Sequence, residues 1–307
     1  MRRPRALRRG DRVAVVAPAS PFKRADFDAG VAELQSLGFE PVYDESVFAR
    51  RGYVAGEPEV RAAAFHRAWS DPSIAALVAA RGGYGSVQIL PLLDSGVVAA
   101  HAKAFIGYSD NTSIMSWLTL QREIVAFHGP MIEGRFAKGE RGYDRDTFTR
   151  CLCNPEPAGE ITHPSLEALA PGEAAGMLLG GTLTQLMASL GTPYAFDPPA
   201  GFILFADEVA ERPFRIDRLL TQLRLSGILS RAAAVVFGEL PGCDEPDGQV
   251  TARATVADVM SGFNGPVLFG LPSGHTTGAT LTLPFGVRAR VVAGGRPRLI
   301  IEEAAVS

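Results

Sequence analysis

Ser109-Asp110-Asn111 stands directly after the apolar run Ala104-Phe105-Ile106-Gly107 and Tyr108, and before a helical pattern at Ile114, Met115, Trp117 and Leu118. A strand that turns sharply into a helix at a serine projects the hydroxyl clear of the sheet, and the free N–H groups of the helix start favour the negative charge of an attacked acyl carbon. Ser109 is therefore a candidate nucleophile, with the Asp110 N–H a candidate oxyanion donor. The string Gly107-Tyr108-Ser109-Asp110-Asn111 departs from a G-x-S-x-G elbow at its last position, and taken alone such a string is more often a strand end with Asp110 as helix N-cap.

Three further segments carry chemistry. Arg81-Gly82-Gly83-Tyr84-Gly85 follows the apolar run 74–80, at the strand edge where open parallel sheets bind ligands. It lacks the Lys-Ser/Thr of a P-loop and the spacing of a dinucleotide fingerprint. A phosphate cradle, an oxyanion donor at Gly82 or Gly83 with Arg81 near for a carboxylate, and a plain tight turn all remain open. Asp207-Glu208-Val209-Ala210-Glu211 closes the strand run 202–206 and leads into Arg215 and Arg218, so it holds either a functional acid or a salt-bridged helix start. His275 lies in a glycine-flanked loop before the run 280–283, as a base or an ordinary loop residue.

The elements that must position these residues alternate as strand and helix through the first half. Strands are predicted at 13–17, 40–43, 74–80 and 104–108, with helices at 25–37, 58–70, 86–93 and 112–121. That rhythm predicts a parallel sheet covered by helices. A Pro-rich segment, Asn154-Pro155-Glu156-Pro157-Ala158-Gly159, reads as the start of a linker. We therefore expect an N-terminal α/β domain over 1–155, a linker over 156–175, and a smaller mixed or barrel-like β domain over 176–307 with one amphipathic helix near 213–226.

With 307 residues, 47% hydrophobic and 21% charged, the chain is long enough for two cores, and disorder is excluded. A net charge of −3 gives no ground for a nucleic-acid or anionic-membrane partner. Arg2, Arg3, Arg5, Arg8 and Arg9 read as a frayed basic leader before the first strand, and the short apolar stretch after them does not suit a signal peptide. The address expected is cytoplasmic. Cys151, Cys153 and Cys243 form neither a disulfide framework nor a zinc knuckle, and the five histidines show no ligand spacing, so no metal or organic cofactor is expected.

Taken in order, Arg81-Gly82-Gly83-Tyr84-Gly85, Gly107-Tyr108-Ser109-Asp110, His128-Gly129-Pro130-Met131, Gly180-Gly181-Thr182-Leu183, the acidic strand end with the 215–223 helix, and Gly274-His275 before Thr282-Leu283-Pro284-Phe285-Gly286 resemble the LD-carboxypeptidases, a family of serine peptidases. The resemblance spans about Val13 to about Arg290. It implies a Ser-His-Glu triad at the interface of two domains, a muropeptide substrate cut before a terminal D-alanine in cell-wall recycling, and a homodimer. Carried over, Ser109 is the nucleophile and His275 the base. The acid is Asp207 by strict register or Glu208 by a local shift, because adjacent strand residues face opposite ways. Two alternatives stand beside this: a peptidase resembling the microcin self-immunity proteins, acting on acyl-nucleotides with Trp69, Trp117 or a tyrosine as base platform, and a non-catalytic peptide binder.

Overall fold

The computed structural model describes residues 1–307. Its fourteen strands are β1 (Arg12–Val16), β2 (Glu40–Val42), β3 (Ile74–Ala79), β4 (Ala104–Gly107), β5 (Ala126–His128), β6 (Gly159–Ile161), β7 (Glu167–Ala170), β8 (Gly172–Thr182), β9 (Phe202–Asp207), β10 (Ala232–Gly238), β11 (Val267–Leu271), β12 (Leu283–Phe285), β13 (Arg288–Ala293) and β14 (Arg298–Ile301). They form two sheets. The first runs β12-β5-β4-β3-β1-β2 and the second β6-β14-β13-β8-β9-β10-β11-β7.

The first sheet is parallel from β2 through β5. Its central strands are buried along their whole length, as sheets covered on both faces require, so Ile74–Ala79 reads as an unbroken apolar run rather than an alternation. The helices Arg24–Ser36, Pro58–Ser70 and Thr112–Arg122 cross between strands, the second opening on a proline at its first turn where no N–H is needed.

The second sheet is mixed. Its centre, β8-β9-β10-β11, is parallel, with antiparallel strands on both flanks. The amphipathic helix Pro213–Leu225 buries Pro213, Ile216, Leu220 and Leu223 at helical spacing. Together with Ala252–Val259 it covers a core that includes Leu204, Val235 and Phe237. The expected mixed architecture is present, but the sheet stays open and does not close into a barrel. A parallel centre needs crossover helices, and these occupy the chain that a barrel would have used for consecutive hairpins.

Two other expectations change. The segment read as linker supplies β6 and β7, each paired antiparallel at an edge of the second sheet. Prolines there interrupt the apolar pattern, and prolines are tolerated next to short edge strands. The basic leader is not frayed: the Arg2 amide donates to the Glu123 carbonyl, Val125 donates back to Arg2, and Ala6 donates to Ser307. Leu7 is buried and anchors it.

The two sheets are tied together. β12, from late in the chain, pairs with β5 in the first sheet, with Leu283 opposite His128. Between β8 and β9 the backbones pass so closely that a Cβ on Gly180, at φ +146°, would lie 1.9 Å from the Phe205 carbonyl oxygen. Gly180→Ala should therefore destabilise the protein by about 3 kcal/mol, from strained φ and backbone displacement. Urea unfolding checks this, and a midpoint equal to that of the wild type would contradict the close approach.

Candidate functional site

Ser109 leaves β4 through Tyr108, which is extended at φ −156°, and enters the left-handed region at φ +62° before the helix Thr112–Arg122 begins. A non-glycine residue held there is strained, and the strain persists only where the surroundings enforce it. Asn111, in the place of an elbow's final glycine, does part of this. Its amide nitrogen donates to the Tyr108 carbonyl and to the Arg81 carbonyl, both at 3.2 Å, so it fastens the turn to the glycine-rich segment.

Gly82 lies against the serine. A Cβ at position 82 would fall 2.7 Å from Ser109 Cβ and 2.9 Å from its Oγ. Gly83, at φ +98°, faces Ser20 instead. Neither the Gly82 nor the Gly83 N–H has a protein acceptor. Asp110 does not cap its own helix: its carboxylate accepts from the Ser86 N–H at 2.7 Å, and the Ser86 hydroxyl donates to the Asp110 carbonyl. Burial pushes the Asp110 carboxyl up, against the hydrogen bonds from Ser86. Below the turn, the buried Arg61 donates to the Gly85 carbonyl at 2.7 Å and to the Pro18 carbonyl.

The geometry divides the two acids. Asp207 is fully buried, and its Oδ2 accepts from both the backbone N–H (2.9 Å) and Nδ1 (2.7 Å) of His275. Its Oδ1 accepts from the Thr182 hydroxyl at 2.7 Å. Glu208 points away and accepts from the N–H (2.9 Å) and hydroxyl (2.6 Å) of Thr184. Consecutive residues at a strand end face opposite sides, so Glu208 is excluded from contact with His275, and no local shift occurs. Gly274 is required beside this pair, since a Cβ there would lie 2.3 Å from Asp207 Oδ2.

Electrostatics follow from these contacts. Burial alone would raise the Asp207 carboxyl, but the His275 charge and its hydrogen bonds outweigh it and hold the group well below the usual carboxylate range. For His275 burial lowers and Asp207 raises, and the net shift is upward. With Nδ1–H directed at Asp207, Nε2 is left without a protein partner and is free to accept a proton. The His275 ring packs edge-on against Tyr108, with centroids 5.1 Å apart, which brings it beside the residue preceding Ser109. No hydrogen bond joins Ser109 Oγ to His275, as is common for such pairs without a bound substrate.

Arg81 has protein partners of its own. Its Nε pairs with Glu133 at 2.9 Å and its Nη1 donates to the Pro21 carbonyl, so the guanidinium ties the glycine turn to its own half of the molecule. Glu211 pairs with Arg215, as a salt-bridged helix start would.

Several residues here had no sequence signal of their own. His128 is fully buried at the end of β5, its Nδ1 2.9 Å from the Ser273 hydroxyl and its Nε2 3.9 Å from Asp207 Oδ1. Burial pushes it down to about 4, so it stays neutral next to the carboxylate. Glu239 accepts from the Thr276 and Thr277 hydroxyls, and Arg135 donates into the same loop. Only the strings around His128 and Thr182 drew notice, and a buried arginine that bonds carbonyls leaves no pattern in sequence.

Residues 13–129 match the LD-carboxypeptidase N-terminal domain, and residues 175–291 match the LD-carboxypeptidase C-terminal domain. A putative carboxypeptidase of Streptomyces coelicolor is 39% identical over 294 residues, covering 94% of this chain and 93% of that protein. The crystal structure of a muramoyltetrapeptide carboxypeptidase from Oxalobacter formigenes superposes with a TM-score of 0.84 at 30% identity, over 95% of this chain and 99% of that one. The microcin C7 self-immunity protein in complex with aspartyl sulfamoyl adenosine gives a TM-score of 0.91 over the whole of both chains, at 23% identity, a likeness of fold.

Titration of the histidine rings by NMR checks the charge arrangement. His275 should titrate above its ordinary 6.5 and His128 near 4. Asp207→Asn removes the groups that raise His275 and should move its titration down, whereas Glu208→Gln should move it less. Equal shifts for the two variants would contradict the division of the acids.

Proposed function

The chain belongs to the LD-carboxypeptidase family of peptidase hydrolases, and from that premise we propose a serine-type LD-carboxypeptidase that releases the terminal D-alanine of murein tetrapeptide. The observation that carries the reading is the Asp207–His275 pair with its bare Nε2, packed against the strained turn that presents Ser109.

In this reading Ser109 Oγ attacks the carbonyl of the bond between the L-centre of the diamino acid and D-alanine. His275 Nε2 takes the hydroxyl proton and returns it to the amine of the departing D-alanine. Asp207 fixes the tautomer and stabilises the imidazolium. The N–H of Asp110, with that of Gly82 or Gly83, donates to the oxyanion; the latter two are unpaired, and Gly82 lies against the serine. Water then attacks the acyl-enzyme by the same route in reverse. No metal or organic cofactor enters the scheme. Cytoplasmic location and a homodimer accompany the reading as family expectations. The structure contributes that no helix is long and apolar enough to cross a membrane.

A second reading, cleavage of acyl-nucleotides, has one feature in its favour. Trp69 and Trp117 are buried and unavailable for stacking on a base. Tyr53 and Tyr84, however, are exposed beside the glycine turn with ring centroids 5.7 Å apart, and they form an aromatic shelf at the rim.

D-Alanine release from murein tetrapeptide, measured against an acyl-sulfamoyl nucleotide, separates the two readings. Ser109→Ala should keep the fold and lower kcat by at least about a thousandfold. Residual turnover within tenfold of wild type would sink the serine assignment. The acid limb of kcat/KM should follow the His275 titration, falling as pH drops below that raised value, because the protonated ring cannot accept the serine proton. Amidating the terminal carboxylate should impair cleavage severely, and undiminished turnover of the amide would exclude a carboxypeptidase.

A further inference from the structure

Arg135 is buried, yet no carboxylate lies within ion-pair distance of it. Its charge is met by dipoles and by the Tyr108 ring, whose centroid lies 5.7 Å from Cζ. Nη2 donates to the carbonyls of Gly274 at 2.7 Å and Thr276 at 3.1 Å, the residues on either side of His275. Nη1 donates to the carbonyls of Gly278 at 3.0 Å and Gly142 at 3.5 Å. Nε donates to the hydroxyl of Tyr108 at 3.2 Å. All the N–H groups of a guanidinium are thereby used, and only a planar fork can serve so many acceptors at once.

The placement of these acceptors is informative. Two of them bracket His275, and Tyr108 immediately precedes Ser109 while packing against both the His275 and His128 rings. Desolvating a guanidinium without a counter-charge is costly, and an apolar side chain would fill the space with less penalty. The arrangement makes sense where the register of one loop against one strand must be fixed.

We infer that Arg135 is a positioning residue, which locks the His275 loop to the Ser109 elbow through the carbonyls of Gly274 and Thr276 and the hydroxyl of Tyr108. The inference rests on the proposed serine mechanism for its effect on rate, but its effect on His275 is independent of that mechanism. A misplacement of about 1 Å between reacting groups is enough to cost on the order of a hundredfold in rate. Arg135 also places a full positive charge near the ring. The other ionisable groups around His275 are Asp207, in contact with it, and Glu208, directed away, at the end of β9; Tyr108, packed edge-on against the ring; neutral His128 at the end of β5; and Glu239 beyond β10, bonded to Thr276.

The test compares wild type, Arg135→Met, Arg135→Lys and Tyr108→Phe in the full chain, by histidine NMR and by D-alanine release. Arg135→Met should raise the pH at which His275 titrates and lower kcat about a hundredfold with KM within about threefold. Millimolar guanidinium ion should restore part of kcat. Arg135→Lys keeps the charge but offers three donors, and it should lose at least about tenfold in kcat. Tyr108→Phe deletes only the link to the elbow and should lower kcat several-fold at constant KM. A folded Arg135→Met protein with His275 titration and kcat like wild type would overturn the inference. Should that variant not fold, unchanged kcat in Tyr108→Phe overturns it and a several-fold loss sustains it. Wild-type protein that releases no D-alanine would defeat the proposed function, while the His275–Tyr108 ring NOE, lost in Arg135→Met if Arg135 positions the loop and kept if it does not, would still decide the role of Arg135.

Discussion

A carboxylate with no access to water sits at the meeting point of the two sheets, and the surrounding structure is arranged to keep it charged. Asp207 satisfies its oxygens with His275 and Thr182 and has neutral His128 alongside. Each partner is itself fixed: Thr182 by its N–H bond to Thr112 Oγ1 at 3.0 Å, His128 by Ser273, and His275 by its loop. Thr112 begins the helix that follows Ser109. The anion therefore couples the elbow of one sheet to the loop of the other through a single buried network, and removing any partner would leave an uncompensated polar group.

Two buried arginines play matching parts around that network. Arg61 gathers carbonyls beneath the glycine turn, and Arg135 gathers those of the His275 loop. Loops with glycine at positive φ turn their carbonyls inward, and a guanidinium is the side chain with enough donors to satisfy several at once. Rigid loops built this way hold their N–H groups and side chains in place without a covering element, which suits a site open to a peptide end.

Much of this was legible in the sequence. The alternation of apolar runs and helical periodicity located β1 to β4 within a residue or two, and the acidic strand end, the serine turn and the glycine turn each announced themselves by residue type. Period-two and period-3.6 patterns fail for very short elements, so the interior strand β5 and the edge strands β6 and β7, of three or four residues each, were not read. The choice between Asp207 and Glu208 needed the direction of one side chain, which the pleat decides only once its phase is known. The partner of Arg81 was not legible, because a positive charge in sequence says nothing of what it pairs with, and Glu133 lies far off along the chain. Arg135 and His128 act through tertiary contacts that no local pattern encodes.

The distribution of the chemical groups follows from topology. Gly82 comes after β3, Ser109 after β4 and His128 at the end of β5; Thr182 ends β8, Asp207 ends β9, and Glu239 and His275 follow β10 and β11. All seven stand at the C-terminal ends of parallel strands, the edge at which loops are free to vary while the strands beneath remain fixed. Each sheet alone presents half of a site: one offers a hydroxyl with unpaired amides, the other an acid–base pair. The strand β12, contributed from the second half to the first sheet, sets the distance between the two edges, because Leu283 pairs with His128 within a short span of the His275 loop. A shift of that strand by one residue would displace the His275 loop that precedes it, while His128, held on β5 by its pairing with β4, would keep its direction. The register of this short antiparallel pair thus ties the loop that carries His275 to the sheet that carries Ser109.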